Sequence, residues 1–153
     1  MLSFILLCLS CLLFVPSIML LYKNRTIKGR YILIIALIIQ TIITCWSDIS
    51  TSYNREINIR ALKWDFICIY LVSLPALFYF LYINNIKNFI TLKILFLIAV
   101  AVLCFINSVA WKRGFPILSK KGAHYDLVNI NHTFWHILVG YIIFNIINSS
   151  IKK

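Results

Sequence analysis

His132-Thr133-Phe134-Trp135-His136 sets two imidazoles four residues apart at the start of the last apolar run of the chain. On a helix, positions i and i+4 share a face, so both rings can reach one metal ion. Imidazole nitrogen binds zinc well. A pair of interfacial histidines bonded to headgroups or loop carbonyls would have the same spacing. Ser50 and Asn54 are also four apart, at the end of the second apolar run, with Ser47 about two turns before Asn54. Such residues also gather wherever a helix leaves a membrane. Asp65 follows Lys63 and Trp64 at the start of the third run. A carboxylate there can cap a helix N-terminus. Asp48 is the other acid close to an apolar run. Polar and ionisable groups at membrane depth are costly and are functional candidates for that reason.

The elements that must position these groups follow from composition. Of 153 residues, 62% are hydrophobic and 12% charged, and the mean hydropathy is +0.93. This excludes a soluble enzyme and a disordered tail. An all-α polytopic membrane protein is expected, as one integral domain over 1–153. A membrane helix needs about 20 apolar residues, and five segments come close: 2–22, 31–50, 65–83, 90–110 and 133–149. Residues 111–132 carry Gly114, Pro116 and Gly122 among lysines and read as a loop. The N-terminal run lacks a preceding cationic segment and a small-residue cleavage site, so it reads as a retained helix.

Fifteen Lys and Arg against four Asp and Glu give a net charge of +11. The cations flank the apolar runs, as in Lys23, Arg25, Lys28 and Arg30, where they meet anionic headgroups; nucleic acid is not an expected partner. The dense first loop places the N-terminus outside or luminal and the C-terminus in the cytosol. Trp46, Trp64, Trp111 and Trp135 fall near span ends on one side, as an interfacial belt does. Cys8 and Cys11 form a C-x-x-C inside an apolar run, where small packing residues are expected rather than a redox or zinc motif. Five scattered cysteines do not suggest a disulfide framework.

The order of these groups resembles the CREST superfamily, which includes alkaline ceramidases, GPI-remodelling lipid hydrolases, progestin/adipoQ receptors and hemolysin III proteins. The matching strings are Ser50-Thr51-Ser52-Tyr53-Asn54, Asp65 eleven residues on, and His132 with His136. Asp65-Phe66-Ile67-Cys68-Ile69-Tyr70-Leu71 is similar to hemolysin III. The resemblance spans 45–83 and 129–145. It implies zinc-dependent hydrolysis of a lipid amide or ester. His132 and His136 would hold Zn2+, with Asn54 at the place of the third ligand. Asp65 would orient a ligand or shuttle a proton, and Ser50 would donate to the oxyanion. It also implies the endoplasmic reticulum or Golgi in a eukaryote, or the plasma membrane in a bacterium. The chain departs from the family in having five spans instead of seven and Asn54 where the family has histidine. An amide oxygen is a poor zinc ligand. His124, Asp126 or Asp65 could complete the set. Asp48 suits it less, because it points away from the Ser50–Asn54 face. A receptor-like or scaffold relative without catalysis, and an unrelated small membrane subunit, are the alternatives.

Overall fold

A computed structural model describes residues 2–54, 59–85, 92–112 and 123–151. The protein is an all-α helical bundle integral to a membrane. In chain order the elements are α1 (Leu2–Ser10), a 3-10 turn (Cys11–Phe14), α2 (Val15–Lys23), α3 (Arg30–Asn54), α4 (Ile59–Cys68), a π turn (Ile69–Ser73), α5 (Leu74–Ile83), α6 (Leu92–Lys112) and α7 (Ala123–Ile151). Among the described residues, four stretches are long and apolar enough to cross a membrane: Ile5–Lys23, Arg30–Ser50, Lys63–Ile83 and Ile130–Ile151. A shorter apolar stretch, Ile94–Cys104, lies within α6.

Two of the connections expected from sequence are shorter than the loops read there. Helix α3 runs to Asn54 and α4 resumes at Ile59. No Gly or Pro interrupts 51–64, so nothing forces the helices to stop at the membrane edge. Helix α7 likewise starts just past Gly122, at Ala123. His124 and Asp126 are therefore helical, and not in a loop; their side chains lie outside the described residues.

Two spans are each broken once, and each break is followed by a proline. Val15 donates its N–H to Leu12 O, three residues back, in the 3-10 turn ahead of Pro16. Leu74 donates to Ile69 O, five residues back, in the π turn ahead of Pro75. Proline has no N–H to give, and the local change of pitch re-satisfies carbonyls that it would leave orphaned in lipid. Both irregular turns bear on the polar groups described below.

Helix α3 shows how a membrane bundle is patterned. Its buried face is Leu33, Ala36, Leu37, Gln40, Thr44, Ser47 and Asp48, the spacing of one helical stripe. Its exposed face is Ile32, Ile35, Ile38, Ile39, Ile42, Trp46 and Ile49. The polar groups are inside and the isoleucines face outward, the arrangement lipid demands. At the other end, the apolar core joins Phe14, Leu21, Leu33, Leu37, Phe80, Ile143 and Ile147.

Two glycines permit close packing. Gly29 turns the chain into α3 with φ +69°, and a Cβ there would run into the Ile83 side chain. The Asn84 amide also donates to Lys28 O at 3.1 Å, fixing the end of α5 beside the first loop. Gly140 lets the 3-10 turn lie against α7. A Cβ at Gly140 would sit 3.2 Å from both the Cβ and the carbonyl oxygen of Leu13.

Candidate functional site

His132, His136 and Gly140 succeed one another at helical spacing along the inner face of α7. Phe134, Ile137 and Tyr141 occupy the outer face. Both imidazoles are about as buried as a side chain can be, at 3% and 2% exposure. Their rings meet edge to face with centroids 4.7 Å apart.

What they meet is Asp48, at 1% exposure on the inner stripe of α3. His132 Nε2 lies 3.2 Å from Asp48 Oδ1, and His136 Nε2 lies 3.6 Å from Asp48 Oδ2. The carboxylate thus sits between the two imidazoles, one oxygen toward each. The first span reaches the same point from its 3-10 turn. Cys11 Sγ lies 3.6 Å from Asp48 Oδ2. Ser10 Oγ lies 2.8 Å from His136 Nδ1.

Ser10 Oγ donates to the Leu7 carbonyl at 2.7 Å and sits beside His136 Nδ1, which orients the ring with Nε2 toward Asp48 Oδ2. Cys11, Asp48 and His136 are also the described group whose donor atoms lie within 4.8 Å of one another.

Asp65 belongs to a second polar network, deeper along α3. Its Oδ1 accepts from Gln40 Nε2 at 2.9 Å and from Thr44 Oγ1 at 2.7 Å. Gln40 also donates to Thr44 Oγ1 at 2.8 Å. Ser73, on the π turn, donates to Gln40 Oε1 at 2.8 Å. The capping role open to Asp65 is not what the structure shows, because α4 begins at Ile59, more than a turn earlier. Asp65 is a buried helix-interior carboxylate at 6% exposure.

The Ser50 hydroxyl donates to Ser47 O on its own helix at 3.1 Å. Asn54 ends α3, and its side chain lies outside the described residues. Asp48, Cys11 and Ser10 are the participants that sequence reasoning passed over. Asp48 was set aside for facing away from Ser50. It does face another way, and that other face is the one the histidines approach. The signal was the stripe Gln40, Thr44, Ser47, Asp48 in a helix otherwise rich in isoleucine. Cys11 was read as a packing residue; the break in helical pitch ahead of Pro16 lies at its position.

No protein-family profile, curated protein or solved structure matches the chain. The fold and the site therefore define a class and no more: an integral helical membrane protein with a buried His–Asp–His centre.

Proposed function

We propose that the protein is a membrane-embedded, zinc-dependent hydrolase of a lipid amide or ester, related to the CREST enzymes. The observation that carries this reading is the buried Asp48 carboxylate held between His132 and His136. The order of the Ser50, Asp65 and His132–His136 motifs supports the same class.

The donor chemistry fits zinc. Donor atoms around a tetrahedral zinc lie roughly 3.3–3.7 Å apart, because Zn–N and Zn–O bonds are about 2.0–2.1 Å and Zn–S about 2.3 Å. The separations of 3.6 Å from Asp48 Oδ2 to His136 Nε2 and to Cys11 Sγ are at that scale. Asp48 and His136, with Cys11 beside them, would hold the ion. When bound, zinc supplies a water acidic enough to be a nucleophile near neutral pH and polarises a carbonyl.

The surrounding residues do the remaining work. Ser10, beside His136 Nδ1, orients the ring so that Nε2 points at Asp48. His132, on the far oxygen of Asp48, keeps the carboxylate oriented and can carry a proton. Asp65 is fastened by Gln40 and Thr44 and would act by holding α4 against the polar stripe of α3. The Ser50 hydroxyl, bonded along its own helix, would have to turn before it could serve an oxyanion. A substrate would enter sideways between helices. The membrane would be that of the endoplasmic reticulum or Golgi in a eukaryote, or the plasma membrane in a bacterium.

The test is release of fatty acid from labelled ceramides and from ester lipids, including GPI-type lipids, by the detergent-purified chain. Release should need zinc and fall at least about 100-fold in Asp48→Asn and His136→Ala, as expected when a catalytic metal is lost. Release no faster than from Asp48→Asn, across the whole panel and with zinc supplied, would refute the hydrolase reading.

A further inference from the structure

The C-x-x-C of the first span meets a third cysteine on the second. Cys11, at 0% exposure in the 3-10 turn, is in hydrogen-bond contact with the Cys45 thiol of α3. Cys8 stands one turn before Cys11, within electrostatic reach of both Cys45 and Asp48. We infer that Cys11 and Cys45 form a membrane-embedded dithiol that a lipid-soluble quinone oxidises reversibly to a disulfide.

Three of the five cysteines thus gather at one point, although Cys11 and Cys45 are 34 residues apart in sequence. Membrane helices pack closely through Gly, Ala, Ser or Thr. A sulfur on each side of one contact adds what those residues lack, two electrons to give. The 3-10 turn packs directly on α3. A disulfide sets its sulfurs ~2.05 Å apart, so closing the contact asks for side-chain rotation and a slight shift of a turn whose pitch is already irregular.

Surroundings select the oxidant. Both thiols lie inside membrane-crossing stretches, Ile5–Lys23 and Arg30–Ser50. A charged, water-soluble oxidant is costly to bring there, whereas a quinone dissolves in lipid. Cys45 is half-buried, and Ile42, Trp46 and Ile49 beside it on α3 face outward. Cys45 therefore meets the quinone first, and its sulfur forms a transient bond to a ring carbon. The Cys11 sulfur then attacks the Cys45 sulfur. The S–S bond forms, the S–C bond breaks, and its electron pair leaves on the ring. The two thiol protons end on the two quinone oxygens. The thiol pair is oxidised by two electrons and the quinone is reduced to the quinol.

The inference rests on the thiol contact and on neither zinc nor hydrolysis. The test uses the full chain, reduced, in liposomes with chelator present. The probe is a fully substituted benzoquinone with a short alkyl chain, whose ring cannot trap the adduct as a stable thioether. About two thiols should be lost and about one quinol gained per chain, the two-electron stoichiometry of a disulfide. Mass spectrometry should find Cys11 linked to Cys45, and dithiothreitol should restore both thiols. Cys11→Ser and Cys45→Ser should each abolish quinol formation, and a chain with Cys68 and Cys104 both changed to serine should keep it. Cys45→Ser decides the matter if Cys11→Ser does not fold, because Cys45 is only half-buried. A folded chain that keeps its thiols in excess quinone would overturn the inference. So would a disulfide joining any other pair, or quinol formed undiminished by Cys45→Ser. Those results leave the hydrolase reading standing, and a chain that forms the disulfide but cleaves no lipid does the reverse.

Discussion

Replacing Asp48 by Asn removes one charge and almost no volume, and the structure sets how much that should cost. Asp48 is 1% exposed and touches α7 through two imidazoles and the first span through Cys11. It therefore ties three membrane-crossing segments at one depth. Taking one partner from a buried ion pair costs about 3–5 kcal/mol, because the remaining charge is left uncompensated. A neutral hydrogen bond between membrane helices is worth much less, about 0.6 kcal/mol on average. The two cases differ by more than tenfold in the unfolding equilibrium, since about 1.4 kcal/mol is a factor of ten. The assay is reversible unfolding in mixed micelles by stepwise addition of denaturing detergent. Chelator is present throughout, so that only the protein's own groups are measured. Asp48→Asn should cost about 3 kcal/mol. The double-mutant cycle with His132→Gln should show coupling above about 1 kcal/mol, because both changes act on one contact. A cost below about 1 kcal/mol with an additive cycle would match an ordinary neutral hydrogen bond. That result would refute the claim that a charged carboxylate organises the site.

Two other perturbations probe what surrounds the site. Gly140→Ala adds a methyl 3.2 Å from the Leu13 Cβ and carbonyl oxygen, so the 3-10 turn must move off α7. It should lose about 1–3 kcal/mol through overpacking, and Cys11 should alkylate faster with a membrane-permeant maleimide; unchanged labelling would argue that the turn is not held at that contact. In the Asp65 network, Thr44→Val removes the bond to Asp65 and the one accepted from Gln40, a loss of about 1–3 kcal/mol for bonds involving a charged group. Gln40→Leu removes three bonds, to Thr44, Asp65 and Ser73, so micelle unfolding should show the larger loss for it; equal or smaller loss would mean that Ser73 and the π turn contribute nothing to holding Asp65.

Fold class was legible in the sequence because it depends on sums: apolar runs near membrane length and few charges inside them. The segment expected at 31–50 appears as the span Arg30–Ser50, and that expected at 65–83 as Lys63–Ile83. Helix ends were less legible. Polarity marks where a helix leaves lipid, whereas Gly and Pro mark where it can stop, and the two differ at 51–64 and at 123–132. The meeting of His132 and His136 on one face was legible from their spacing alone. Their partner was not. Which face of α3 turns toward α7 is decided by packing between helices that are far apart in sequence, and no local pattern near Ser50 or Asn54 reports it. Cys11 was hidden for a related reason. Its position depends on a change of pitch ahead of Pro16 and on the close approach that Gly140 allows, 124 residues past Pro16.

The two broken spans suggest why those prolines sit where they do. A regular helix in lipid satisfies its own backbone and offers partners only through side chains on its inner stripe. A change of pitch resets that stripe. In the first span, the 3-10 turn brings Cys11 and Phe14 inward together, with Ser10 just before them, so that a thiol and a hydroxyl reach the centre while Phe14 packs in the apolar core. In the third, the π turn brings Ser73 to Gln40, and Ala76 and Phe80 return to the core below it. Each break thus sets a polar contact beside residues of the apolar core. These contacts reach the polar stripe of α3 at its two ends, Asp48 from the first span and Gln40 from the third. Straightening the first span by Pro16→Ala should therefore leave its insertion intact but rotate Ser10 away from His136. The His136 ring would lose the contact that orients it, and metal affinity would fall as it does when a second-sphere residue is removed, about 10–100-fold. An unchanged affinity in a straightened helix would show that the turn serves packing alone.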